Sequence, residues 1–108
     1  MPILIFDFSK TRINQAGDWN GLLLTFKDGS ATRTRIADFD ATGLVPSTSN
    51  SSGPLLALPD DYEPPEILCE MAAGFMGCNI GALKPNEPIR EGKTFTISFT
   101  RKKQSFFG

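Results

Sequence analysis

Apolar and polar residues alternate with a period of two over much of this chain, the spacing that sends successive side chains to opposite faces of a β-strand. Between Ile3 and Phe8, Ile3, Ile5 and Asp7 share one side while Leu4, Phe6 and Phe8 share the other, which predicts a strand buried on one face and partly on the second. From Gly21 to Phe39 the alternation is interrupted by Lys27-Asp28-Gly29-Ser30. Asp-Gly favours positive φ at a tight turn, so two antiparallel strands are predicted. In the second of them Arg33 and Arg35 share a face with Ala31 and Ala37, opposite Thr32, Thr34 and Ile36. Near the end, Phe95, Ile97 and Phe99 alternate with Thr94, Thr96, Ser98 and Thr100, a strongly half-buried strand.

Between these runs the pattern weakens. Ser9 to Asn20 is polar, with a turn at Gln15-Ala16-Gly17-Asp18 ahead of Trp19. Residues 40–54 hold small hydroxyl side chains, glycine and proline, with too little apolar area to order strongly, and read as a mobile surface loop. Leu55 to Pro65 ends an apolar run at Pro59, turns through two aspartates and presents the only tyrosine before Pro64-Pro65. Proline biases the residue before it to extended geometry, so Tyr62 sits on a stiff corner between two candidate strands. Glu66 to Met76 fits two templates. A helix would put Ile67, Leu68, Met71 and Phe75 on one face, and a strand would alternate Ile67, Cys69, Met71, Ala73 and Phe75 with the rest. The strand-rich surroundings and the glycines that follow favour the strand. A further short strand over 79–83 and a loop over 84–88 come next, and residues 102–108 read as a frayed tail.

Composition narrows the class. One domain of 108 residues buries roughly two-thirds of the surface its unfolded chain exposes, so it needs neither metal nor disulfide to fold. Nine phenylalanines give a core built on Phe. A formal net charge of −1 argues against electrostatic attraction to nucleic acid or anionic membrane. The first residues carry an acid within a short apolar run and no basic region before it, unlike a secretory signal, and no run approaches the ~18 apolar residues that span a bilayer. Synthesis in the cytoplasm and no membrane insertion are the expectation.

Chemistry is sparse. The absence of histidine removes the usual general base and the Ser-His and Cys-His arrangements, so no enzyme is expected. Cys69 and Cys78 are too far apart for a Cys-x-x-Cys motif and read as buried free thiols. The acidic corner of Asp60, Asp61, Glu63 and Glu66 reads as solvated carboxylates, with no metal and no cofactor expected. Arg33 and Arg35 suit a phosphate, sulfate or acidic sugar, or else line a solvated strand face paired with Asp38 and Asp40.

The phrase Leu58-Pro59-x-x-Tyr62-x-Pro64, set between a hairpin with a polar loop and a final Phe-x-Ile-x-Phe strand, resembles the C-terminal head domains of bacteriophage tail-fibre and baseplate receptor-binding proteins. The phrase departs from that pattern at Asp61, where glycine is usual, and at Glu63, where arginine is often found. The resemblance implies an all-β, single-domain antiparallel β-sandwich of jelly-roll type, assembled as a homotrimer in the virion. It also implies binding of a host-surface saccharide or protein without catalysis. Trp19 then becomes the candidate aromatic platform, with Asp18, Asn20, Arg33 and Arg35 around it, and Leu58, Pro59, Tyr62 and Pro64 a structural corner; a Trp19 that closes one end of the core is the competing role. A capsid decoration or tail-assembly protein without a ligand site, or a small inhibitor of a host enzyme or defence complex, fits the same features.

Overall fold

The strand nearest the start of the chain lies in the middle of the sheet. A computed structural model describes residues 2–47 and 53–101. Ile3–Asp7 is β1, Arg12–Ile13 is β2, Trp19–Asp28 is β3 and Ala31–Phe39 is β4. Helix α1 spans Glu66–Phe75, followed by β5 (Leu83–Pro85), β6 (Ile89–Glu91) and β7 (Thr94–Arg101). Every pairing is antiparallel, and the seven strands form one sheet. Ile5 of β1 faces Thr25 of β3 on one side and Thr96 of β7 on the other. Beyond a break at 8–11, β2 continues along the same edge of β3, with Arg12 opposite Asn20. The other edge of β3 carries β4, where Thr25 meets Thr34. On the far side β6 and β5 run in succession along β7, putting Ile89 opposite Thr96 and Lys84 opposite Thr100.

The period of two separates the faces as the sequence predicts. Leu4, Phe6, Leu22, Leu24, Phe26, Phe39, Phe95, Ile97 and Phe99 point to one side and are almost wholly buried. Each such side chain contributes about 1.5–3 kcal/mol relative to exposure, so this face is the main source of stability. The layer that closes it consists of α1, through Leu68, Cys69, Ala72 and Ala73, together with Leu56 and Tyr62. The expected all-β antiparallel fold is thus present, sandwich-like in having two layers around one core.

The strand expected over 66–76 is instead α1. Pro65, extended at φ −69° and ψ 157°, leads directly into a first turn that carries Glu66, favourable at the positive end of the helix dipole. The helix stops in a Schellman motif: Cys78 N–H donates to the Ala73 carbonyl at 2.8 Å and Gly77 N–H to Gly74 at 3.1 Å, with Gly77 at φ +68°. The glycines that read as strand punctuation therefore include the one that ends a helix. Likewise the strand expected over 79–83 begins only at Leu83 and takes in Pro85 of the expected loop, which an edge strand tolerates. The run from Leu55 supplies only one bridge, to Arg12.

Of the expected mobile segment, the described part is tied down. Asp40 accepts from the Thr42 hydroxyl at 2.6 Å and from the Thr42 N–H at 3.0 Å, while its own N–H donates to the Val45 carbonyl. Those hydrogen bonds hold the Asp40 carboxyl below its ordinary range. Residues 48–52 and the tail at 102–108 lie outside the described residues.

Candidate functional site

The corner predicted from Leu58, Pro59, Tyr62 and Pro64 is real, but it joins an isolated bridge to a helix rather than two strands. Tyr62 N–H donates to the Pro59 carbonyl at 3.1 Å, closing a turn over the two aspartates. The Tyr62 ring meets Phe8, Trp19 and Phe95 edge to face, at centroid separations of 5.9, 6.2 and 5.8 Å. Such pairs add about 0.5–1.5 kcal/mol each beyond area burial. Burial in this cluster, with a smaller push from the nearby Cys69, raises the phenol pKa to about 12.

Trp19 belongs to the same cluster. It is only 9% exposed, stacks edge-on against Phe8 at 5.5 Å, and has the backbone of Gly43 against its ring. The structure thus places it at the end of the core. Asp18 lies in the preceding turn, where its N–H donates to the Asn14 side chain and its carboxylate accepts from the Asn14 amide. Asn20 is buried beside it.

Arg33 and Arg35 do not join that group. They project from β4 on the helix-covered side and reach the end of α1. Arg33 donates to the Met76 carbonyl at 2.9 Å and the Gly77 carbonyl at 3.3 Å. Arg35 donates to the Phe75 carbonyl at 2.7 Å, with its guanidinium 5.3 Å from the Phe75 ring centre. No basic residue stands in the last turn of α1 itself, so the two β4 arginines supply the cations that a helix C-terminus favours. Asp38 and Asp40, the partners expected for these arginines, turn elsewhere: Asp38 accepts from the Gly21 N–H and Asp40 holds its own loop.

The same use of charge recurs along the irregular layer. Arg12 donates to Gly53, Lys93 to Leu56, and Arg90 to Pro59, each at 2.7–2.8 Å. Carbonyls in segments without a strand ladder need donors, and charged donors make the stronger hydrogen bonds. Sequence reasoning missed these links because each joins residues 31 or more apart. Together they leave Arg12, Arg33, Arg35, Arg90 and Lys93 engaged by the chain's own backbone.

Reactive chemistry is equally committed. Both thiols are free as expected, but only Cys69 is buried, its thiol pushed up to about 12 by burial, reinforced by Glu66. Cys78 is half-buried and lies beside Arg33 and the Met76 carbonyl. Among the described residues no group of three or more acidic or sulfur side chains is placed to hold a metal, and no helix is long and apolar enough to cross a membrane. A cleft of about 270 Å³ at the β3–β4 turn is lined by Pro2, Phe26, Asp28, Ala31, Arg33 and Leu83.

Among the described residues, the second face of the sheet has no layer packed on it. Its central row runs Thr34, Thr25, Ile5, Thr96, Ile89 across β4, β3, β1, β7 and β6. A neighbouring row runs Ile36, Leu23, Asp7, Thr94, Glu91, and the row on the other side includes Thr32, Lys27, Ile3 and Ser98. Ile3, Ile5, Leu23, Ile36 and Ile89 lie outside the core, and Ile36 and Ile89 are 67% and 65% exposed. The sequence showed this face as the partly apolar side of Ile3–Phe8; that none of the described residues covers it depends on α1 taking the opposite side. Comparison with family models, with curated proteins and with solved structures finds no match to this chain.

Proposed function

We propose that the chain is a non-catalytic structural module that works by protein–protein assembly through the open face of its sheet. This is the assembly form of the phage structural reading, with the virion as its place of action. The observation that supports it is the set of β-branched and apolar side chains that no other described residue covers across five strands, with Ile36 exposed near one edge and Ile89 near the other. Large apolar side chains left exposed among threonines on an open sheet face suit it to pack against a partner. A saccharide site around Trp19 has less support, because the indole is enclosed and the two arginines serve α1. Light scattering behind size exclusion tests the assembly reading across a range of concentrations. The expected result is an oligomer of the 11.8 kDa chain that Ile36→Lys weakens; a strict monomer at every concentration would overturn it.

A further inference from the structure

Building on that assembly reading, we infer that the occupant of the open face is a second copy of this chain, packed sheet to sheet about a two-fold axis that runs across the strands along the central row. Three observations lead there. The first is charge. Along the strand direction the open face is unevenly charged, with Asp7, Glu91 and Asp38 outnumbering Lys10 towards one end and Lys27 and Lys84 towards the other. Asp7 accepts from the Ser9 N–H and the Thr94 hydroxyl, which keep its carboxyl below the ordinary range and hence charged at neutral pH. A two-fold axis along Thr34, Thr25, Ile5, Thr96 and Ile89 lays the acidic end of each copy over the basic end of the other. An axis parallel to the strands would instead set acid against acid.

The second observation is apolar self-matching. On that axis Ile5 meets Ile5, Thr25 meets Thr25 and Ile89 meets Ile89, so each central position faces its own copy with a side chain of the same size. Off the axis, Leu23 faces the stem of Lys27 and Ile36 faces Thr32. Stacked sheets lie about 10 Å apart and within about 30° of aligned, a spacing these side chains fill.

Area is the third. Five strands at about 4.8 Å spacing, with three to four same-face residues at about 6.8 Å intervals, cover roughly 500–650 Å² in flat projection. Side-chain relief raises the accessible area towards the roughly 800 Å² per partner of a standard interface. The face is therefore of dimer size. In the resulting assembly each chain supplies one sheet of a two-sheet sandwich, with the two helices outermost.

The test is the solution mass of the full chain and three variants. The wild type should run at twice 11.8 kDa. Ile89→Lys brings two ammonium groups together on the axis and should give folded monomer that still unfolds cooperatively, because the residue is 65% exposed within the chain. Its melting temperature should no longer depend on protein concentration. Glu91→Lys and Lys84→Glu should each weaken the dimer by a factor of about two to five, the weight of an exposed ion pair, and their combination should restore it. A trimer dispersed by Ile89→Lys would overturn the two-fold packing while leaving assembly through this face in place. A dimer indifferent to Ile89→Lys would overturn the choice of face. A monomer throughout would overturn this packing and the assembly reading together.

Discussion

Gly43 lies against the six-membered ring of Trp19 so closely that a methyl group on its Cα would stand 2.7 Å from Cζ3. Gly43 also has φ +74°, in the left-handed region that side chains disfavour. Space and backbone both demand glycine here, and the indole is the wall that sets the limit. Gly43→Ala should cost about 2–4 kcal/mol through overpacking and backbone strain. The check is urea unfolding followed by the fluorescence of the single tryptophan. A red-shifted native emission is expected, and an unchanged midpoint would show that the loop can lift away from Trp19 without loss.

Removing the β4 arginines should loosen α1. Arg33→Ala and Arg35→Ala each delete charged donors to the last carbonyls of the helix and should cost about 1–2 kcal/mol. Arg35 also loses its contact with the Phe75 ring, so Arg35→Lys should recover only part of the loss. Hydrogen exchange at Cys78 N–H, which is bonded to Ala73, should accelerate in both variants before global stability falls.

Arg90 and Tyr62 fix the corner from opposite sides. The Arg90 guanidinium donates to the Pro59 carbonyl at 2.7 Å and lies 5.2 Å from the Phe95 ring centre, while Tyr62 packs edge to face on the same ring and on Phe8. Tyr62→Ala should lower stability by about 2–3 kcal/mol, Tyr62→Phe by less than 1, because the ring contacts carry most of the effect. Arg90→Ala should release the turn at Pro59, seen as faster exchange of the Tyr62 N–H, at a global cost near 1 kcal/mol. Equal costs for Tyr62→Ala and Tyr62→Phe would show that the hydroxyl, not the ring, holds the corner.

Stability should fall at alkaline pH in two stages. Cys69 and Tyr62 are neutral in the folded protein up to about 12, whereas their ordinary values are 9.0 and 10.0. Above pH 9 the unfolded thiol releases its proton before the folded one, and above pH 10 the unfolded phenol does the same. The unfolded state then binds fewer protons, so the unfolding free energy decreases with pH up to about 12. Urea midpoints at pH 8, 9.5 and 11 should drop progressively. Tyr62→Phe should remove the later part of the decline and Cys69→Ala the earlier part; parallel curves for wild type and both variants would reassign the effect to other groups.

The strands were legible where one face was plainly apolar. Ile3–Phe8, the hairpin around Asp28-Gly29 and the run from Phe95 to Phe99 all appear near their expected places, because alternation and turn chemistry are local properties. Alternation says which way side chains point, not how strands are shared among layers, so the gathering of all seven into one sheet was beyond it. Glu66–Phe75 was misread because its apolar residues satisfy both periods, and the deciding features, Pro65 before the first turn and Gly77 after the last, act at the ends. Of the candidate site, the Tyr62 corner was read from proline geometry. The tasks of Arg33 and Arg35 were not, since their partners lie 40 or more residues away on an element placed by tertiary packing.

The central position of β1 has a consequence for synthesis. One of its neighbours, β3, leaves the ribosome soon after it, but the other, β7, is among the last segments described. A nascent chain released as far as Phe39 can form β1, β3 and β4, yet β1 keeps a full row of unpaired amides and carbonyls along its second edge. That edge invites pairing with any extended chain nearby until Thr94–Arg101 arrives to close it. Slow translation between residues 40 and 93 should therefore favour misassembly, and rapid release of β7 should favour the native sheet.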